Sequence, residues 1–211
     1  MKTISDSVME KIRAVTSDWA CQSDYTDCMV CSIYNIALEI STRPVAPLEK
    51  KFSISEVSKC LGYKTDEGTS WDNLDPGMKR MLRKAKSSLW TAYVKEDDRR
   101  LPIKRACELV ENKMSSYPTM TLGAEYLRDM YGVILPKNPM AWMSHMVVLV
   151  YCDIDDVVIY DPYAIHIHQN PLRVITKKDL NKYWQCSNDP KGIACFKRSS
   201  GILEEFVEVE Q

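Results

Sequence analysis

Along the first two thirds of the chain, apolar residues recur at helical spacing. From Cys28 to Ile40, Val30, Ile33, Tyr34, Ala37 and Ile40 fall on one face. "STRPVAP" ends that segment, because Pro44 and Pro47 cannot continue a helix. "SISEVSKCLGY" opens with Ser53 and Glu56 at capping-box spacing and meets Gly62 at its end. The pattern predicts two further helices over residues 76–95 and 101–116. It predicts another over "LGAEYLRDMYG", where Leu122, Tyr126, Leu127 and Met130 share a side and Gly132 stops the run.

The pattern then changes. "HMVVLVYC" (145–152) and "DVVIYDPY" (156–163) are β-branched and aromatic runs joined through "DIDD", which predicts a hairpin. "LRVITK", "GIACFKR" and "ILEEFVEVE" read as three more strands, with a short helix at "KKDLNKYW" between the first two. The expected layout is α+β, in one domain spanning 1–211. A mainly helical lobe to about residue 140 would pack against an antiparallel β-sheet lobe over 141–211.

Composition narrows the function classes. The chain has 211 residues, 45% hydrophobic and 27% charged, as ordinary globular proteins do. A net charge of −1 gives no overall drive toward nucleic acid or anionic membrane. Five basic residues in "MKRMLRKAK" read as a solvated helix face. No apolar run reaches the roughly 20 residues a membrane span needs. The N-terminus has no secretory h-region, so a cytoplasmic location is expected. In that compartment the eight cysteines are expected to be mostly small buried hydrophobes.

One cysteine is placed differently. Cys28 follows "QSDYTD" and opens its helix, where the partial positive charge of the helix N-terminus favours a thiolate; Asp27 is a candidate N-cap. A cysteine nucleophile also needs a base, an orienting group for that base and donors for an oxyanion. The candidate bases are His145, His166 and His168. His145 begins one strand and Asp161 ends the next, so antiparallel pairing through "DIDD" would make them neighbours. That is how a carboxylate holds an imidazole in its useful tautomer.

These pieces together resemble the papain-like cysteine peptidases, and among them the family that processes bacteriocin leader peptides at double-glycine sites. The resemblance rests on the Gln-x5-Cys spacing of "QSDYTDC", on "SHMVVLVYCDIDDVVIYDP" with its His and Asp-Pro, and on "KKDLNKYW". It covers roughly residues 18–40 and 120–198; the helical stretch at about 50–118 has no counterpart in it. The resemblance implies Cys28 as nucleophile, His145 as base and later acid, and Asp161 as orienter. Gln22 and the Cys28 backbone N–H would form the oxyanion hole. It implies no metal and no organic cofactor, and a peptide or protein as substrate. Where the family usually has Gly after the cysteine, this chain has Met29, a bulkier residue expected to narrow or reshape the cleft.

Other readings stay open at this point. An acyltransferase could use the same fold, and a silent papain-like module could bind a peptide or protein without cleaving it. Cys28-Met-Val-Cys31 is also a C-x-x-C, which could serve redox chemistry or, with His166 and His168, a zinc site. No strand precedes it, as a thioredoxin-like motif requires, and neither half of a zinc set has a second matching pair.

Overall fold

The computed structural model describes residues 4–23, 26–65, 67–97, 103–134, 144–167, 169–185 and 191–199. Four helices come first: α1 (Asp6–Thr16), α2 (Cys28–Ser41), α3 (Ile54–Leu61) and α4 (Leu74–Lys84). Strand β1 (Trp90–Asp97), α5 (Ile103–Glu111), β2 (Thr119–Leu122) and α6 (Ala124–Tyr131) follow. The remainder is β3 (His145–Cys152), β4 (Asp156–Tyr160), a 3-10 turn (Pro162–Ile167), β5 (Leu172–Thr176), α7 (Lys177–Gln185) and β6 (Lys191–Arg198). The strands form one six-stranded sheet in the order β1-β6-β2-β3-β4-β5, with antiparallel pairing throughout.

Local chemistry sets both ends of α3. Ser53 and Glu56 form the capping box of α3, with Glu56 N–H donating to Ser53 Oγ at 3.2 Å and Ser53 N–H to Glu56 Oε2 at 2.9 Å. Gly62 closes α3 at φ 68°, in the left-handed region that glycine adopts without strain. On α4, Met78, Met81 and Leu82 turn inward, while Lys79 pairs with Asp75 at 2.7 Å and Arg80 donates to the Cys60 carbonyl. The basic run is thus a helix face anchored by local bonds.

Alternation along β3 divides the interior in two. Met146, Val148 and Val150 face a core shared with α1 through α4, including Ile33, Ile36 and Ile40 of α2. Val147 and Leu149 face the opposite core with Ala106 and Leu109 of α5, Tyr126 of α6 and Leu180 and Trp184 of α7. A strand covered on both faces must be apolar at every position, which is why 145–152 reads as a continuous run. Each fully buried side chain of this kind contributes on the order of 1.5–3 kcal/mol.

The β3–β4 register shifts between Leu149 and Tyr151. Such a bulge reverses the inside-outside alternation beyond it, so Cys152 faces the α5 side rather than the α2 side. There it forms a disulfide with Cys107 of α5. These two cysteines depart from the expectation of plain buried hydrophobes; Cys21, Cys28, Cys31, Cys60 and Cys195 are free thiols.

The layered α+β architecture agrees with the expected class, but its boundaries differ. The helix expected over 76–95 stops at Lys84, and Trp90–Asp97 is the edge strand β1, paired with β6. Lys86 at φ 51° turns the chain between them. Trp90, Thr91, Tyr93 and Val94 are strand formers that a helix-period reading of the basic run had absorbed. Two strands of the sheet, β1 and β2, therefore come from the part expected to be helical, and β1 from the stretch at 50–118 without a family counterpart. The strand expected at "ILEEFVEVE" lies outside the described residues.

Candidate active site

Cys28 is the first residue of α2 and is partly exposed. Asp27 does not cap the helix through its side chain; its Oδ2 instead accepts from Ser23 N–H at 3.0 Å and Ser23 Oγ–H at 2.9 Å, bracing the preceding loop. The next residue, Met29, is buried in the α2-side core, so its side chain fills the interior rather than standing in an open cleft. Cys31 is fully buried, and burial together with the nearby Asp27 carboxylate pushes its thiol far above the ordinary range. It is a core residue.

The hairpin brings His145 and Asp161 together as the sequence predicted. Val148 pairs with Tyr160, which sets the start of β3 beside the end of β4. His145 Nε2–H donates to Asp161 Oδ1 at 2.7 Å, and both side chains are buried. The Cys28 thiol lies near enough to this ring to help raise its pKa. With Nε2 engaged by Asp161, Nδ1 is the ring atom left to face it. Burial alone would lower the imidazole pKa, but the Asp161 charge and hydrogen bond, helped by the nearby Cys28 thiol, more than offset it and raise it well above its ordinary value.

Asp161 is completely buried and fully used as an acceptor. Oδ1 also takes the Tyr163 backbone N–H at 2.9 Å. Oδ2 takes the hydroxyls of Tyr126, at 2.5 Å, and Tyr131. Burial would raise its pKa; His145 and the two tyrosine hydroxyls pull it below the usual carboxylate value. Tyr126 further lies parallel to the imidazole at 5.9 Å, and Tyr163 meets it edge-on at 6.0 Å. Arg173 Nε–H donates to the Tyr131 hydroxyl at 3.0 Å and its guanidinium covers that ring. The imidazole can therefore rotate little without breaking several contacts.

Gln22 is buried, and its backbone N–H donates to the Pro162 carbonyl at 3.0 Å, which ties the residue to the turn just after Asp161. The loop before it is pinned by Asn35 of α2: Ala20 N–H donates to Asn35 Oδ1 at 2.7 Å and Asn35 Nδ2–H to the Ala20 carbonyl at 2.9 Å. Ser32, one turn after Cys28, donates to the Met146 carbonyl at 3.2 Å and thereby fixes α2 against the residue next to His145. Ser32 and Asn35 are polar interruptions on the buried face of α2, a signal that apolar periodicity does not register. Tyr126 and Tyr131 gave no such signal, since aromatics on a helix face read as core.

Part of the stretch at 50–118 also reaches this loop. The Tyr63 and Thr26 hydroxyls are 3.0 Å apart, and the backbone at Gly68 (φ 76°) passes so close to the Thr26 carbonyl that a β-carbon would meet it at 3.1 Å. Among the described residues no three metal-binding groups cluster. His168, which the zinc reading needed, lies outside the described residues, and so does the side chain of His166.

This architecture is the papain-like fold of C39 peptidase domains. A candidate C39-like peptidase from Bacillus anthracis superposes with a TM-score of 0.54 at 13% identity, over 88% of this chain and 96% of that one. The peptidase domain of Streptococcus ComA, a bifunctional ABC transporter of a quorum-sensing pathway, gives 0.49 at 14% identity over 85% and 97%. A double-glycine motif protease from an AMS/PCAT transporter, solved with its leader peptide, gives 0.48 at 14% over 85% and 89%. No protein-family model matches the chain, and no curated protein matches it by sequence. Among the described residues no helix is long and apolar enough to cross a membrane.

Proposed function

We propose that the protein is a papain-like cysteine peptidase or amide hydrolase. The observation that carries this reading is the buried His145–Asp161 pair at 2.7 Å, with the partly exposed Cys28 thiol, at a helix start, near its imidazole. Cys28 loses its proton to His145, and the thiolate attacks the carbonyl carbon of a peptide or amide. The raised pKa of His145 favours the imidazolium that this transfer forms. Asp161 stabilises that charge and holds the ring so that one nitrogen faces the sulfur. The Gln22 side chain and the Cys28 backbone N–H donate to the oxyanion; one such donor is typically worth about 2.7–4 kcal/mol in barrier height. His145 then protonates the leaving amine, and water activated by the same ring hydrolyses the thioester. The contact of Tyr63 and Gly68 with Thr26 supports a role for this turn in shaping the substrate cleft beside Cys28.

The test is brief exposure to iodoacetamide or an electrophilic peptide, followed by mass mapping. Selective fast labelling of Cys28, abolished in His145→Ala, is the expected result. Equal slow labelling of several thiols would leave a papain-like binding module without a reactive cysteine.

A further inference from the structure

At the opposite end of α2 from Cys28 lies a cavity of about 340 Å³. Its walls include Glu39 of α2, Arg43 and Val45 just beyond it, Lys113 and Ser115 between α5 and β2, and Arg198 at the end of β6. Three basic residues thus line it together with one acidic residue. Arg43 is already occupied: its Nε–H donates to Glu39 Oε1 at 2.6 Å and its two other nitrogens to the Lys113 and Ser115 carbonyls at 2.8 and 2.7 Å. Arg198 donates one Nη2–H to the Val45 carbonyl at 2.6 Å and lies beside the same Trp90 ring as Arg43. Neither Arg198 nor Lys113 forms an ion pair among the described residues.

Two buried polar atoms in these walls lack a hydrogen bond of normal geometry among the described residues. One is a donor, Arg198 Nε; the other is an acceptor, Glu39 Oε2. Leaving such groups unpaired is costly, so each points to something a bound molecule could supply. Burial and the nearby Arg43 charge hold the Arg198 guanidinium below its usual pKa. Burial raises that of Glu39 against the pull of Arg43 and of the Tyr117 backbone N–H, which does not close a normal bond on Oε2. A bare anion would suit Arg198 and Lys113 but meet Glu39 Oε2 unfavourably. A bare cation would suit Glu39 but meet the surplus of basic groups.

We propose that this cavity binds a small ligand carrying a carboxylate with a nitrogen donor on the adjacent carbon, the grouping of a free α-amino acid or of the last residue of a peptide. The carboxylate takes Arg198 and Lys113, and the N–H takes Glu39 Oε2. Val45 and Val110 give an aliphatic side chain an apolar wall. The site stands apart from the Cys28–His145–Asp161 cluster: Glu39 is about 16 Å along the helix from Cys28 at the usual rise per residue. It does not depend on the proposed hydrolytic function.

Calorimetric titration of the full chain with L-leucine, glycyl-L-leucine, L-leucinamide and inorganic phosphate tests the assignment. L-leucine, glycyl-L-leucine or both bind saturably, and the tighter of the two identifies the source of the ligand. Leucinamide, without the carboxylate, and phosphate, without the nitrogen donor, bind at least about tenfold more weakly, as expected for loss of a charge-assisted bond. Lys113→Gln weakens leucine or dipeptide binding about tenfold by the same reasoning, and Arg198→Gln weakens it further. Lys113 is exposed, so its variant reads binding and not unfolding. Binding persists after Cys28 is alkylated, which separates this cavity from the cleft at Cys28. Absence of saturable binding, equal binding of phosphate or leucinamide, or unchanged affinity in Lys113→Gln would each overturn the proposal.

Discussion

Asp161, just after β4, and Glu39, near the C-terminal end of α2, are carboxylates largely withdrawn from water, and they are treated in opposite ways. Asp161 receives His145, Tyr126, Tyr131 and the Tyr163 N–H, and its pKa is lowered although it is completely buried. Glu39 has one firm partner in Arg43, keeps Oε2 without a normal hydrogen bond, and has its pKa raised by burial. Burial is common to both, so it does not decide the outcome; the supply of donors does. A carboxylate saturated with donors is a fixed charge that orients a neighbour. One left short of donors beside a cavity is open to a ligand.

The largest expected effect comes from emptying the saturated end. Asp161→Ala leaves a buried imidazole without its counter-charge, and should cost about 3–5 kcal/mol in urea unfolding. The rate of Cys28 alkylation or of peptide hydrolysis should fall by on the order of 10²-fold or more. A variant that kept its stability would mean that Asp161 is not the charge on which His145 depends.

Next in size is the loss of one donor. Tyr126→Phe removes a bond to an ionised carboxylate in a fully buried place, and unfolding should register about 1.5–3 kcal/mol. Tyr131→Phe should cost less, because that side chain is partly exposed. Equal costs would show that the two hydroxyls are not graded by burial.

The pH dependence of stability follows from the same cluster. His145 has a raised pKa in the folded protein, so its contribution is fully present below about pH 6.5 and is lost as pH rises through the folded value. Asp161 has a lowered pKa, so its contribution is present above about pH 4 and is lost as pH falls through the folded value. Melting temperature should therefore decline on both sides of that window, and His145→Gln should flatten the alkaline decline.

The smallest effect is expected at the unsaturated end. Glu39→Gln keeps the shape and leaves an amide oxygen that still accepts from Arg43 Nε–H, so its unfolding cost should stay below that of Tyr126→Phe. A cost as large as that of Tyr126→Phe would erase the contrast between the two carboxylates.

Much of the site could be read from the residues. The Asp161 position followed from two apolar runs joined by "DIDD", because a short antiparallel connection has few ways to form. The start of α2 at Cys28 followed from its periodicity. Less of the sheet was legible. Trp90–Asp97 was hidden because it follows a strongly amphipathic helix with only Lys86 to mark the turn. The tyrosines that hold Asp161 were hidden because an aromatic gives the same pattern whether its hydroxyl is used or not.

By itself, the sequence determined the start of α2, both ends of α3 and the stop of α6, the hairpin carrying His145 and Asp161, and the one cysteine placed at a helix N-terminus. These are local matters of periodicity, capping and turn chemistry. Tertiary structure decided what meets what across distance. It brought β1 to the sheet edge and turned Cys152 toward Cys107 through a bulge. It also sent Met29 into the core and set Tyr126, Tyr131 and Arg173 around one carboxylate. The physical reason is that a hydrogen bond between residues far apart in the chain depends on the packing of whole layers, and no local pattern of apolar and polar positions records that packing.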